Sequence, residues 1–184
     1  MCVRVLLADR SMTQTKQSAA DRCATGMAEH QACMFMVANH CFAIDSALVA
    51  EVLNSAALTP VPLAPEAIVG LLHLRGRIVP VIDMRRRLGF DLAATDAPRN
   101  HLVLRLEDGW CSLLVDEVLD VQSFASDRLE HPTQPANEAA TDAVTGIFAD
   151  EERLVHFLDP QRIVQSLVRN RAAPLIRHGA SHGG

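Results

Sequence analysis

The stretch LLHLRGRIVPVIDMRRRLG, residues 71–89, sets Arg75 and Gly76 between two apolar runs and continues with Arg77 and the trio Arg85, Arg86 and Arg87. An unpaired buried guanidinium is costly, and glycine breaks regular structure, so a charged turn between core-like segments calls for a reason. Three chemistries fit such an arginine. It could bind or activate an anion, form part of a nucleic-acid patch, or sit in a surface turn offered to a protein partner.

The rest of the chain weighs against the first two. Net charge is -5 and aromatic residues make up only 4%, so neither the field nor the stacking platforms of a nucleic-acid surface are present. Gly70 and Gly76 lie six apart without the Gly-Lys-Ser/Thr ending of a phosphate loop. The eight histidines form no H-x-H or H-E-x-x-H pair, so metal-ligand spacing is missing. Cys111 with His101 or His156 could be assembled into a thiol site, yet Cys111 lies in an alternating strand beside Trp110 and reads more simply as core. Five cysteines without a C-x-x-C pair point to reduced thiols and a cytosolic setting. No catalytic set, metal site or cofactor is expected. Arg85 to Arg87 read as the solvated face of a short helix. For Arg75 two readings stand level: a stem laid over the core with its head in water, or an interface arginine. Glu51, between Val49 and Val52, is either solvent-facing or the partner of an arginine.

The elements that would position these residues are mostly short strands. CMFMVANHCFAID reads as a hairpin around Asn39-His40, and HLVLRLEDGWCSLLV as another around Asp108-Gly109. FADEERLVHFLDP reads as a third, its turn carrying Asp150, Glu151 and Glu152. The helical candidates are PEAIVGLLHL with His73 near its end, the short DMRRRLG, and DPQRIVQSLVRN close to the C-terminus. Residues 1–31 read as a flexible extension and 171–184 as a flexible tail. No apolar run nears the roughly 20 residues that span a bilayer, and MCVRVLLADR is too short for a signal-peptide core. Direct membrane insertion is not expected.

The chain also repeats itself. VAEVL (49–53) recurs as VDEVL (115–119), 66 positions on, while AIVG (67–70) and RIVPVID (77–83) recur as AVTG and RLVHFLD, 76 positions on. CFAI has a counterpart in CSLL 70 positions later, and all four matches keep their order. Two copies of a β unit of about 60–70 residues follow, each marginal alone and stabilised by packing on the other. The second copy keeps the glycine and the strand but replaces Leu74-Arg75-Gly76 with an acidic turn. The unit's fold therefore does not require the arginine.

The segment VAEVLNSAALTPVPLAPEAIVGLLHLRGRIVPVIDMRRRLG resembles the signature of CheW-like domains. It supplies Glu51-Val52, Pro62-Leu63-Ala64-Pro65, Gly70, Leu74-Arg75-Gly76 and Ile78 to Arg85. VDEVLDV and TGIF…LVHFLDPQRIV fit the second half, so the resemblance covers about residues 32–170. It departs at His73, where the family usually has asparagine, and in the long loop 130–142.

The resemblance implies a mainly β fold of two SH3-like five-stranded β-barrel subdomains packed side by side, with short helices including one near the C-terminus. It also implies a non-enzymatic cytoplasmic adaptor that binds the cytoplasmic tips of chemoreceptors and the regulatory domain of a CheA-type histidine kinase. Carried onto this sequence, its partner-binding residues are Glu51, Val52, Gly70, Leu74 and Arg75, with Val115 and Val118 placed by the internal repeat. The competing reading is a stand-alone β-barrel module for a small ligand or nucleic acid.

Overall fold

A computed structural model describes residues 29–92, 97–125, 129–130, 142–149 and 153–171. Among the described residues, eleven strands form two sheets. Sheet A has the order β10-β11-β2-β1-β9, from strands Val144–Ala149, Leu154–Leu158, His40–Asp45, Glu29–Val37 and Glu117–Ala125. Sheet B has the order β3-β7-β8-β6-β5-β4, from Val49–Leu53, Asn100–Leu106, Gly109–Val115, Arg77–Asp83, Ile68–Leu74 and the two-residue Leu58–Thr59. Helix α1 (Met84–Leu88) follows β6 and α2 (Pro160–Arg171) follows β11. The mainly β, side-by-side, SH3-like architecture is as expected, although the sheets curl without closing.

Neither sheet is built from one copy of the repeat. The first hairpin of each half completes the other half's sheet: β1 pairs antiparallel with β9 and β2 parallel with β11, while β7 pairs antiparallel with β3 and β8 parallel with β6. Three cores result. One lies inside sheet A (Met34, Cys41, Phe124, Phe148) and one inside sheet B (Leu53, Leu72, Val79, Val103). The largest lies between the outer faces of both sheets and the two helices, with Phe35, Ile44, Ile82, Leu104, Leu113, Met84 and Ile163 in it. Since most of the apolar burial is shared, neither half can hold its fold without the other.

Several expectations are corrected. PEAIVGLLHL forms no helix: its residues 68–74 are β5, and Pro65 accepts a turn hydrogen bond from the Ile68 amide at 2.8 Å. The β-branched pair Ile68-Val69 and the glycine at 70 suit a strand better than a helix, and His73 is therefore an exposed strand residue. The turns sit one residue earlier than read: Ala38 and Asn39, at φ 50° and 67°, link β1 to β2, and β8 already begins at Gly109. Strand β1 starts at Glu29, inside the expected extension; residues 1–28, 172–184, the 150–152 turn and most of loop 130–142 lie outside the described residues.

The cysteine match is also one place out. Ala43 pairs with Phe157 as Ser112 pairs with Val81, so the hairpins correspond at 69 positions, not 70. A one-residue slip reverses the face of a strand. Cys41 accordingly lies inside sheet A and Cys111 in the shared core.

Glycines 70 and 146 do the same job in both halves. Each sits at a register shift where a further segment crosses its strand. A Cβ on Gly70 would stand 3.0 Å from the Thr59 carbonyl oxygen of β4; one on Gly146 would stand 2.5 Å from Leu129, next to the Glu130–Ile147 bridge.

Charge ties the two halves together at one junction. Asp83 is buried and caps α1 through the Arg85 amide at 2.9 Å. It also receives both terminal nitrogens of Arg99, at 2.7 and 2.9 Å. Arg85 grips Asp116 at 2.8 and 2.7 Å, and Asp116 accepts the Ala38 amide of the first hairpin at 2.7 Å. Arg87 donates to Ser166 of α2 at 2.7 Å. Arg85 and Arg87, expected on a solvated face, are thus structural, because the short helix is packed on its neighbours; Arg86 between them is exposed, as expected. Burial opposes the charge on Asp83 and on Asp116. Hydrogen bonds and positive charge from Arg99 and Arg85 outweigh it and hold both carboxyls below the usual range.

Two outcomes are expected. Gly70→Ala lowers stability by about 1–3 kcal/mol through overpacking against β4, measured by urea unfolding. Arg99→Met lowers it by about 3–5 kcal/mol, the usual cost of stripping the partner from a buried charge. A carboxyl with a depressed folded pKa gives stability that is present above its unfolded pKa of about 3.9 and lost as pH falls towards the folded value. The Arg99→Met deficit should therefore be full near neutral pH and shrink below about pH 4.

Candidate partner-binding site

The hairpin joining β5 to β6 closes with the pair Leu74–Arg77, leaving Arg75 and Gly76 as its two turn residues. Their φ angles, 49° and 79°, are those of a type I′ turn, which matches the twist of the flanking strands. Gly76 fits this geometry; Arg75 pays roughly 1–2 kcal/mol for it. The turn chemistry alone would favour asparagine or glycine there.

The Arg75 side chain is 75% exposed and reaches Glu51 Oε1 at 3.1 Å. Glu51 is on β3, at the other end of sheet B, where the register shifts between Val49 and Glu51. The ion pair thus bridges the two ends of the curled sheet. Exposed pairs of this kind contribute about 0–1 kcal/mol. Its consequence is to aim the guanidinium rather than to hold the fold.

The surroundings make a mixed apolar and cationic face. Ile78 is 62% exposed and lies across from exposed His73. Arg77 stacks its guanidinium 5.0 Å from the centre of the Trp110 ring, and Leu74 packs half-buried on the core inside sheet B.

Of the seven expected site residues, the structure brings together Glu51, Leu74 and Arg75. Val52 adjoins Glu51 along β3, but its side chain is in the shared core, and Gly70 is buried against β4. Val115 is wholly buried at the far end of β8 from Trp110, and Val118, on β9 of the other sheet, packs half-buried on the shared core. Two surface hydrophobes escaped sequence reasoning. Ile78 looks like its neighbours in RIVPVID, and only its place at the hairpin end exposes it. Leu63 is 94% exposed at φ 60° in the proline-bounded loop after β4; the Pro62–Pro65 signature includes it but does not mark it as exposed.

The thiol arrangement does not assemble. Cys111 faces the shared core, where burial pushes its pKa up to about 12. His101 instead meets Ser112 on the opposite face of β8, at 3.3 Å, and burial lowers its own pKa. Among the described residues, no group of three or more His, Cys, Asp or Glu is placed to hold a metal ion, and no helix is long and apolar enough to cross a membrane.

Residues 31–168 match the family model of the CheW-like domain. The chain belongs to that family. Relatives include the chemotaxis protein CheW of Rhizobium meliloti, 29% identical over 75% of this chain and 89% of that protein. The chemotaxis protein CheW of Klebsiella aerogenes is 29% identical over 72% and 80%. Protein PilI of Pseudomonas aeruginosa is 28% identical over 71% and 73%. The solved scaffolding protein TtCheW of Thermoanaerobacter tengcongensis superposes with a TM-score of 0.66 at 25% identity, covering 72% of this chain and 90% of that one. The CheW-like match spans both sheets, so the hairpin exchange lies within a single family domain.

Because Arg75 occupies a strained turn position and its ion pair with Glu51 is exposed on the arginine side, its replacement tests the balance of the two effects. Arg75→Gly should hold or raise stability by up to about 1 kcal/mol, as the turn is relieved. Arg75→Ala should leave the thermal midpoint within a few degrees, since an exposed pair contributes only about 0–1 kcal/mol; calorimetry decides both.

Proposed function

We propose that this CheW-like protein is a non-enzymatic adaptor that couples chemoreceptors to a CheA-type histidine kinase, in the cytoplasm at receptor arrays. The face around the β5–β6 hairpin is a contact surface. Support comes from relatives named for chemotaxis, one of them a scaffolding protein, and from a domain whose arginine-bearing turn is not needed for the fold.

The observation that carries the reading is Arg75 itself. A residue held at φ 49°, 75% exposed and aimed by Glu51, is kept against the preference of its own turn. Strain of this sort collects where a side chain is wanted for recognition. Arginine beside an exposed apolar residue is the composition of an interface hot spot. Glu51, Leu74 and Arg75 would make direct contacts. Val52, Gly70, Val115 and Val118 would act through the shape of the backbone beneath them. A nucleic-acid surface has less to build on, since Arg85 and Arg87 of the basic cluster are engaged inside the fold.

The test uses the folded Arg75→Gly variant. Titrated calorimetrically with the regulatory domain of a cognate kinase and with a receptor-tip fragment, it should bind at least one of them about tenfold or more weakly than the parent chain, as expected for loss of a hot-spot arginine. Unchanged affinity for both would sink the reading.

A further inference from the structure

Beyond the β5–β6 turn, the two halves of the molecule differ at a further pair of equivalent places, Asp83 and Asp159. In the first half, Asp83 ends β6, accepts helix amides and stands 3.9 Å from Arg86, three residues on. In the second half, Asp159 directly follows β11, accepts the amides of Gln161 and Arg162 at 2.9 and 3.4 Å, and stands 3.3 Å from Arg162, again three residues on. The backbone agrees: the Asp83 amide donates to Ala67 and the Asp159 amide to Ala143, both at 2.8 Å.

One occupant is missing from the match. Asp83 holds a further arginine, Arg99, by two hydrogen bonds, and Arg99 also donates to the Leu114 carbonyl at 3.2 Å. Arg99 lies seven residues before the hairpin's closing residue Leu106; seven before Val37, its counterpart, is His30. His30 is exposed and, among the described residues, donates nothing to Asp159. A groove of about 400 Å³ opens there, lined by His30, Asp45, Leu129, Phe124, Phe157 and Asp159 among others. Asp159 is 35% exposed, where Asp83 with its extra arginine is 6% exposed. The strand register puts Asp45, whose Oδ1 accepts the Ala47 amide at 2.8 Å as a cap, where Leu114 stands, which adds a second carboxylate to the groove.

We infer that this groove on sheet A receives an arginine side chain, flanked by apolar residues, from a partner protein. The first half shows that an aspartate with these cap and helix contacts can still take a bidentate guanidinium. Two carboxylates supply the charge complement, and Phe124, Phe157 and Leu129 supply apolar walls for the arginine stem and its neighbours. The site lies on the sheet that does not carry Arg75, so it is independent of the hairpin contact.

Two blocked tripeptide amides, Leu-Arg-Leu and Leu-citrulline-Leu, serve as probes of the full chain by amide chemical-shift titration. Citrulline keeps the shape but removes the charge. The arginine peptide should saturate shifts at Thr145, Phe157 and Asp45, and the citrulline peptide should bind about tenfold or more weakly. Asp45→Asn and Asp159→Asn, which keep cap-forming side chains, should each weaken the arginine peptide while leaving the other spectra folded. If Asp159→Asn does not fold, Asp45→Asn alone carries the comparison. Equal binding of both peptides, or arginine binding indifferent to Asp45, overturns the inference.

Discussion

The exchange of hairpins between the two halves governs everything else in this molecule. Strands β1 and β2 complete a sheet whose other members come from residues beyond 116, and β7 and β8 complete the sheet of the first half. Each half thus lends the other a two-stranded piece that would be marginal by itself. The outward faces of those pieces meet in the shared core, so pairing and packing reinforce one another. Asp83, Arg99, Asp116 and Arg85 lie where the lent hairpins return to their own half. Removing Arg99 would leave the buried Asp83 carboxylate without its bidentate partner.

This arrangement explains why the β5–β6 turn can be built from poor turn chemistry. The β5–β6 hairpin is anchored on both sides, by β8 along β6 and by β4 along β5, so it tolerates an arginine at a left-handed position. Glu51 comes from the far end of the same sheet, and the two charges meet only because the sheet curls. Orientation of the guanidinium is thereby a property of the whole sheet.

Much of this was legible in the sequence, and the failures are instructive. The repeat, the strand-rich texture and the helix DPQRIVQSLVRN could be read from period and order. Arg75 could be singled out because its turn lies between apolar runs and its second copy lacks it. PEAIVGLLHL misled because a short apolar run after proline fits a helix start as well as a buried strand. Arg85 and Arg87 misled because three charges in a row look solvated, and only Asp116 and Ser166, distant in sequence, show otherwise; Arg86 alone is exposed. The exchange itself leaves no trace in a repeat, since swapped and unswapped pairings have the same sequence pattern. The match of Cys41 to Cys111 shows the hazard of trusting identity over register.

The proposed docking of partners on the β5–β6 hairpin face requires a domain held rigid by that exchange. Hydrogen exchange on the full chain, alone and with a receptor-tip fragment or a kinase regulatory domain, tests it most directly. Slowed exchange at residues 73–78 and at Glu51, with the shared core unchanged, is the predicted result. Protection confined to other surfaces, with the hairpin exchanging as in the free protein, would contradict it.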